Sequence, residues 1–170
     1  MTLQHARIRH RLSTGPEPLV THVLDQPYDS QNVFAAILAG SAPAHRIFEN
    51  DTVLAFLDIA PQGPGHTLVI PKSGATNLFD ITSDDLGSLL HAVQQVGRML
   101  VVALEADGLE IQQLNGAAAG QTVFHLHFHL IPRFAGVPII PHAESEVADQ
   151  AELAAMAARI LKGADLGHDS

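Results

Sequence analysis

Gln121-Thr122-Val123-Phe124-His125-Leu126-His127-Phe128-His129-Leu130-Ile131-Pro132-Arg133 decides how this chain is read. Apolar and polar side chains alternate along it, the period of a strand with one buried face. Thr122 to Ile131 is therefore predicted as a strand. Phe124, Leu126, Phe128 and Leu130 form its greasy face, which belongs against a core helix. His125, His127 and His129 line the other face and stand in a row, roughly 6.6 Å apart, at a surface or in a cleft.

Three readings compete for such a row. A half-exposed strand needs only polar residues at the odd positions, and Ser, Thr or Lys would serve that purpose equally well. Two histidines at i and i+2 can chelate one ion with ligands from elsewhere. Zn–N bonds are about 2.0–2.1 Å, however, and three residues in a row span roughly 13 Å, so all three cannot converge on one tetrahedral ion. Nucleophilic and acid–base catalysis needs no convergence. The middle imidazole attacks, and its neighbours orient it or move protons. The row suits this chemistry best.

Outward from the histidines, Leu109 to Leu114 reads as a strand, and Asn115 to Gly120 as a small-residue loop whose N–H groups could approach an anion. Before them, Thr82-Ser83-Asp84-Asp85 is a helix start, with a hydroxyl cap and acids at the positive end of the dipole. Leu86, Leu89, Leu90, Val93, Val96, Gly97 and Leu100 carry the helical period to about Leu104, with Gly108 as the breaker. Thr67 to Ile70 reads as a strand closed by Pro71, and Ala60 to Gly65 as a loop. His45–Glu49 and Thr52–Asp58 form a hairpin around Asn50-Asp51. Ser30 to Leu38 is a short helix stopped by Gly40. The acidic, Ala-rich stretch from Glu144 to Lys162 is a C-terminal helix.

Composition narrows the function. The 170 residues suffice for one domain, and 46% hydrophobic against 16% charged residues is globular composition. There is no cysteine, which excludes disulfides, thiol nucleophiles and thiolate metal sites. Nine basic residues face eighteen acidic ones, for a net charge of −9 with histidine neutral. Such a surface repels a nucleic-acid duplex. No apolar run is long enough to span a membrane. Arg7, Arg9 and Arg11 are followed by no apolar stretch, so no secretory signal is expected, and a cytoplasmic location fits. Histidine is over-represented at eleven residues.

His125-Leu-His127-Phe-His129-Leu-Ile131 resembles the signature of the histidine-triad (HIT) family of nucleotide hydrolases and transferases. Arg46 to Lys72 resembles the family's nucleotide-binding half, and Asn77 to Asp80 and Gln121 to Val123 also resemble its pattern. The resemblance covers about residues 30–137. It implies an α+β fold, a five-stranded antiparallel sheet with one long and one short helix, and a homodimer that joins two sheets. The expected organisation is an N-terminal extension over 1–29, a HIT domain over 30–140 and a C-terminal tail over 141–170.

The resemblance also implies roles. His127 would attack the α-phosphorus of a nucleoside 5′-phosphate derivative, and water would then cleave the nucleotidyl-imidazole. His125 would hold the His127 ring through the backbone and fix its tautomer. His129 would contact phosphate oxygens and assist the leaving group. His66 matches a family histidine near the triad. Asn115, Gln121 and Thr122 would contact the phosphate, Asp58 the ribose hydroxyls, and Ile47, Phe48, Leu57 and Ile59 the base, a purine by family habit. Many bacterial relatives hold a structural zinc with Cys-x-x-Cys and two histidines. Here those positions are Asn32, Ala35 and Gly74, with only His45 remaining, so neither metal nor cofactor is expected. His129, where the uridylyltransferase branch has Gln, favours hydrolysis of phosphoramidates, adenylates or dinucleoside polyphosphates. A nucleotide-binding interaction module with incidental turnover, or a His-x-His metalloenzyme, is the alternative.

Overall fold

A computed structural model describes residues 26–138 and 145–166. Its elements in chain order are α1 (Val33–Leu38), β1 (Arg46–Glu49), β2 (Val53–Leu57), β3 (Thr67–Pro71), α2 (Ser83–Leu104), β4 (Gly108–Gln113), β5 (Phe128–Arg133) and α3 (Gln150–Leu166). The five strands make one sheet in the order β1-β2-β3-β5-β4, and every pairing is antiparallel. This is the expected α+β architecture.

Local chemistry sets the boundaries. Asn32 caps α1, its Oδ1 accepting from the N–H groups of Phe34 at 2.9 Å and Ala35 at 3.0 Å. Asn50 closes the β1–β2 hairpin by accepting from Thr52 and Val53 N–H. Thr82 caps α2 through the Asp85 N–H, as its hydroxyl and following acids predict. The helix ends at Leu104, as its apolar period predicts. Glu105 takes the left-handed conformation at φ 56° and its N–H bonds back to the last turn, while Gly108 opens β4 instead.

The sheet separates two apolar layers. Val53, Ala55 and Leu57 of β2, Val69 of β3 and Phe128 and Leu130 of β5 pack with Leu89, Val96 and Leu100 of α2. Each fully buried side chain of this kind contributes about 1.5–3 kcal/mol relative to exposure. Leu54, Phe56, Leu68 and Ile70 point the other way and pack with Phe34 and Ile37 of α1. The C-terminal helix joins the first layer through Leu153, Ala157 and Ile160. It starts at Gln150, later than the expected Glu144, which lies outside the described residues. α3 approaches α2 closely at Gly163, where a Cβ would stand 2.5 Å from that of Ala103. Of the N-terminal extension, residues 1–25 lie outside the described residues.

Candidate functional site

The histidine stretch is not one continuous strand. Only Phe128 to Arg133 joins the sheet, and Val123 to His125 form a bend. The antiparallel register explains the break. Val69 pairs with Phe128 and Leu68 with His129, so continuing the ladder would set Leu126 opposite Pro71, which has no N–H to donate. The Leu126 N–H turns to the Ala75 carbonyl instead, at 2.7 Å. The greasy face is as expected at Leu126, Phe128 and Leu130, all buried beneath α2.

The histidines therefore form a cluster rather than an evenly spaced row. The ring centroids of His127 and His129 are 4.8 Å apart and edge-on. Phe34 of α1 lies edge-on to His127 at 5.2 Å and to His125 at 6.0 Å. The cluster is also buried rather than open: His125, His127 and His129 are 0, 4 and 6% exposed.

Hydrogen bonds assign a tautomer to each ring. His125 Nε2 donates to the Pro71 carbonyl at 2.9 Å, which leaves Nδ1 as the acceptor of the Tyr28 hydroxyl at 2.7 Å. His127 Nδ1 donates to the carbonyl of His125 at 2.6 Å, so its Nε2 carries the lone pair. His66 Nδ1 accepts from the Gln62 N–H at 3.1 Å. Its Nε2 then donates to His129 Nδ1 at 3.0 Å, which puts the His129 proton on Nε2. Burial pushes the pKa of His125 down to about 4, opposed by the Pro71 carbonyl and aided by the nearby His127.

Asp58 follows β2, and its Oδ1 accepts from the Ala60 N–H at 2.9 Å. Its Oδ2 lies 3.6 Å from His66 Nδ1, longer than a hydrogen bond. The ligating atoms of Asp58, His66 and His129 all fall within 4.8 Å of one another. His66 Nδ1 already accepts from the Gln62 N–H and His66 Nε2 bonds His129 Nδ1, so a cation held there would compete with these bonds.

The remaining site residues are distributed as follows. Gln121 is buried and its amide joins loops: Oε1 accepts from Gly116 N–H at 2.7 Å, and Nε2 donates to the carbonyls of Thr76 and Val123. Asn115 Oδ1 accepts from the Leu78 N–H at 2.9 Å, tying the 77–80 turn to the end of β4. Thr122 is exposed. The N–H groups of Gly116, Ala119, Gly120 and Gln121 are all used within the small-residue loop and its flank. Ile47 and Leu57 belong to the α2 layer with Phe48 packed against it, on the sheet face away from the histidines. Ile59 is 53% exposed beside Asp58.

Two contributions escape the sequence pattern. Tyr28, from the N-terminal extension, reaches the triad. From the C-terminal tail, Leu153 and Met156 line a cavity of about 110 Å³ beside Asp58 and His66, and the Ala148 N–H donates to the Ile59 carbonyl. No local signal marks either.

The family's zinc arrangement does not fit these residues. Asn32 uses its side chain to cap α1, Ala35 offers no ligand, and the Cβ direction of Gly74 is filled by the Tyr28 ring. His45 contacts Gln150 of α3 at 3.0 Å.

Residues 39–136 match the family model for the HIT domain. The chain belongs to the HIT family. It is similar in structure to a HIT-like protein involved in cell-cycle regulation from Bartonella henselae, with TM-score 0.74 and 42% identity over 81% of this chain and 99% of that one. A zinc-bound histidine triad family protein from Mycobacterium smegmatis aligns with TM-score 0.71 and 35% identity over 82% and 98% of the two chains. In sequence it is 36% identical over 101 residues to the adenylylsulfatase HINT3 of Arabidopsis thaliana, covering 59% of this chain and 51% of that protein. No described helix is long and apolar enough to cross a membrane.

Proposed function

We propose that the protein hydrolyses nucleoside 5′-phosphate derivatives at the α-phosphate through a nucleotidyl-His127 intermediate. The observation that carries this reading is the bond from His127 Nδ1 to the His125 carbonyl, which presents the lone pair on Nε2. That nitrogen attacks phosphorus, and the bond to the leaving group breaks. Water then attacks the same phosphorus and cleaves the P–N bond, returning the electron pair to Nε2. The attacking nitrogen must be unprotonated, and the Nδ1–H bond to a carbonyl keeps the neutral ring's proton off Nε2.

His129 directs an Nε2–H toward the phosphate oxygens or the departing atom, and His66 holds its ring. Asp58 takes the ribose hydroxyls, and Ile59 leads the apolar contact to the base. Asn115 and Gln121 support the phosphate site by fixing its loops, with Thr122 as the exposed hydroxyl. The adenylylsulfatase relative supports an adenylate-type substrate, and the buried, ordered triad supports turnover over passive binding. Two copies pair through the outer strand β4: Ile111 on β4 and Val102 on α2 are more than half exposed or nearly so, at 50 and 59%, and sit on one face beside Leu109.

The test is turnover of adenosine 5′-phosphoramidate, diadenosine polyphosphates and aminoacyl-adenylates by the full chain, with His127→Ala as control. Release of AMP by the wild type alone is the expected result. Equal rates in both would refute it.

A further inference from the structure

We infer that Tyr28 is a positioning residue of the triad, its hydroxyl donating to His125 Nδ1 and thereby fixing the ring whose carbonyl holds His127. Tyr28 is the chain's only tyrosine, and it precedes the residues that match the family model. The inference rests on the triad acting as proposed above.

The direction of the bond follows from its neighbours. Pro71 offers His125 a carbonyl, so His125 Nε2 bears the proton and Nδ1 can only accept. Tyr28 Oη, 2.7 Å away, must donate. The two rings also meet edge-on, with centroids 5.4 Å apart at 66°. With both nitrogens bonded, moving the His125 proton from Nε2 to Nδ1 would set an Nδ1–H against the hydroxyl that donates to it and strip Pro71 O of its donor. The tautomer is locked from both sides.

The surroundings are shaped for this ring. At Gly74 a Cβ would stand 2.8 and 2.9 Å from Tyr28 Cε1 and Cδ1, so any larger residue displaces the tyrosine. Two residues on, the Thr76 hydroxyl donates to the Gln26 carbonyl at 3.3 Å, binding the same segment to the same loop. His125 is fully buried, where an acceptor left without a donor is costly. The consequence passes to His127 through one bond, the 2.6 Å contact of its Nδ1 with the His125 carbonyl.

Tyr28→Phe removes the hydroxyl and keeps the ring. In the full-length wild type, ¹⁵N imidazole spectra should give His125 as the Nε2–H tautomer with a hydrogen-bonded Nδ1. In Tyr28→Phe the Nδ1 resonance should move to that of a nitrogen without a donor. kcat on adenosine 5′-phosphoramidate should fall about tenfold at unchanged KM. Gly74→Ala, which keeps the hydroxyl but displaces the ring, should reproduce the His125 shift. Unaltered His125 resonances in both variants, or a shifted resonance with unaltered kcat, would overturn the inference. Should Tyr28→Phe not fold, Gly74→Ala and cross-relaxation between the Tyr28 hydroxyl proton and His125 Hε1 in the wild type decide the bond, and the absence of both signals refutes it. A wild type that turns over none of the substrates sinks the hydrolase reading, and with it the catalytic role of Tyr28, while the spectra still decide the contact.

Discussion

His66 Nε2 lies 3.0 Å from His129 Nδ1, a bond from the loop entering β3 to the strand that carries the last triad histidine. Both rings are buried, at 1 and 6% exposure. Removing His66 takes away both this bond and the acceptor of the Gln62 N–H, at a cost of about 1–3 kcal/mol. His66→Leu should therefore lower stability by about that amount in urea titration and loosen the His129 ring. Unaltered stability would mean that the bond contributes nothing net.

Asp58 is assigned to the ribose, and nucleotide affinity can check that role. Asp58→Ala should weaken binding of AMP by about tenfold, a loss of about 1.4 kcal/mol typical of hydrogen bonds to a charged group. Affinity for 2′,3′-dideoxy-AMP should change little. An equal loss for both ligands, measured by calorimetry, removes Asp58 from the ribose.

Burial places the His125 pKa at about 4, against about 6.5 for an unfolded histidine. Between these values the unfolded chain binds the extra proton, so folding stability rises with pH. The contribution is complete above pH 6.5 and is lost as pH falls through 4. It amounts to on the order of 3 kcal/mol. Denaturation of wild type and His125→Asn across pH 4–7.5 should show the wild type losing more stability on the acid side. Parallel curves would contradict the assignment.

Asn32, Ala35 and Gly74 fail the family's zinc pattern for reasons of capping, chemistry and space. Elemental analysis of purified protein should find no stoichiometric zinc, and chelation should leave the melting temperature unaltered. About one zinc per chain would contradict this.

The sheet and the long helix were legible because their signals are local and periodic: alternation at Leu126, Phe128 and Leu130, and the cap at Thr82. The triad was legible as chemistry, because three histidines in five positions have few structural uses. Its geometry was not. The strand stops at Phe128 because of Pro71, a residue 57 positions earlier whose effect depends on register. Tyr28 is not legible as a neighbour of the triad, since a lone tyrosine carries no pattern and its partner lies 97 residues away. The end of α2 at Leu104 was legible from the loss of the apolar period, whereas the left-handed Glu105 that closes it has no such signal, since that conformation is favoured at glycine. The place of α3 in the core likewise depends on a close approach, Gly163 against Ala103, that periodicity does not reveal.

The central claim is that His127 Nε2 bonds to phosphorus. Deleting a proton-transfer partner typically costs about 10²–10⁴-fold, whereas deleting the attacking atom removes the two-step route. Quenched reactions with substrate carrying radiolabel at the α-phosphate measure this directly. Wild type, and His125 and His129 variants to a lesser extent, should trap acid-labile, base-stable label, as phosphorus on imidazole nitrogen requires, and His127→Asn should trap none. Label retained by His127→Asn and lost from a neighbouring histidine variant, or label trapped by no variant during active turnover, would contradict it.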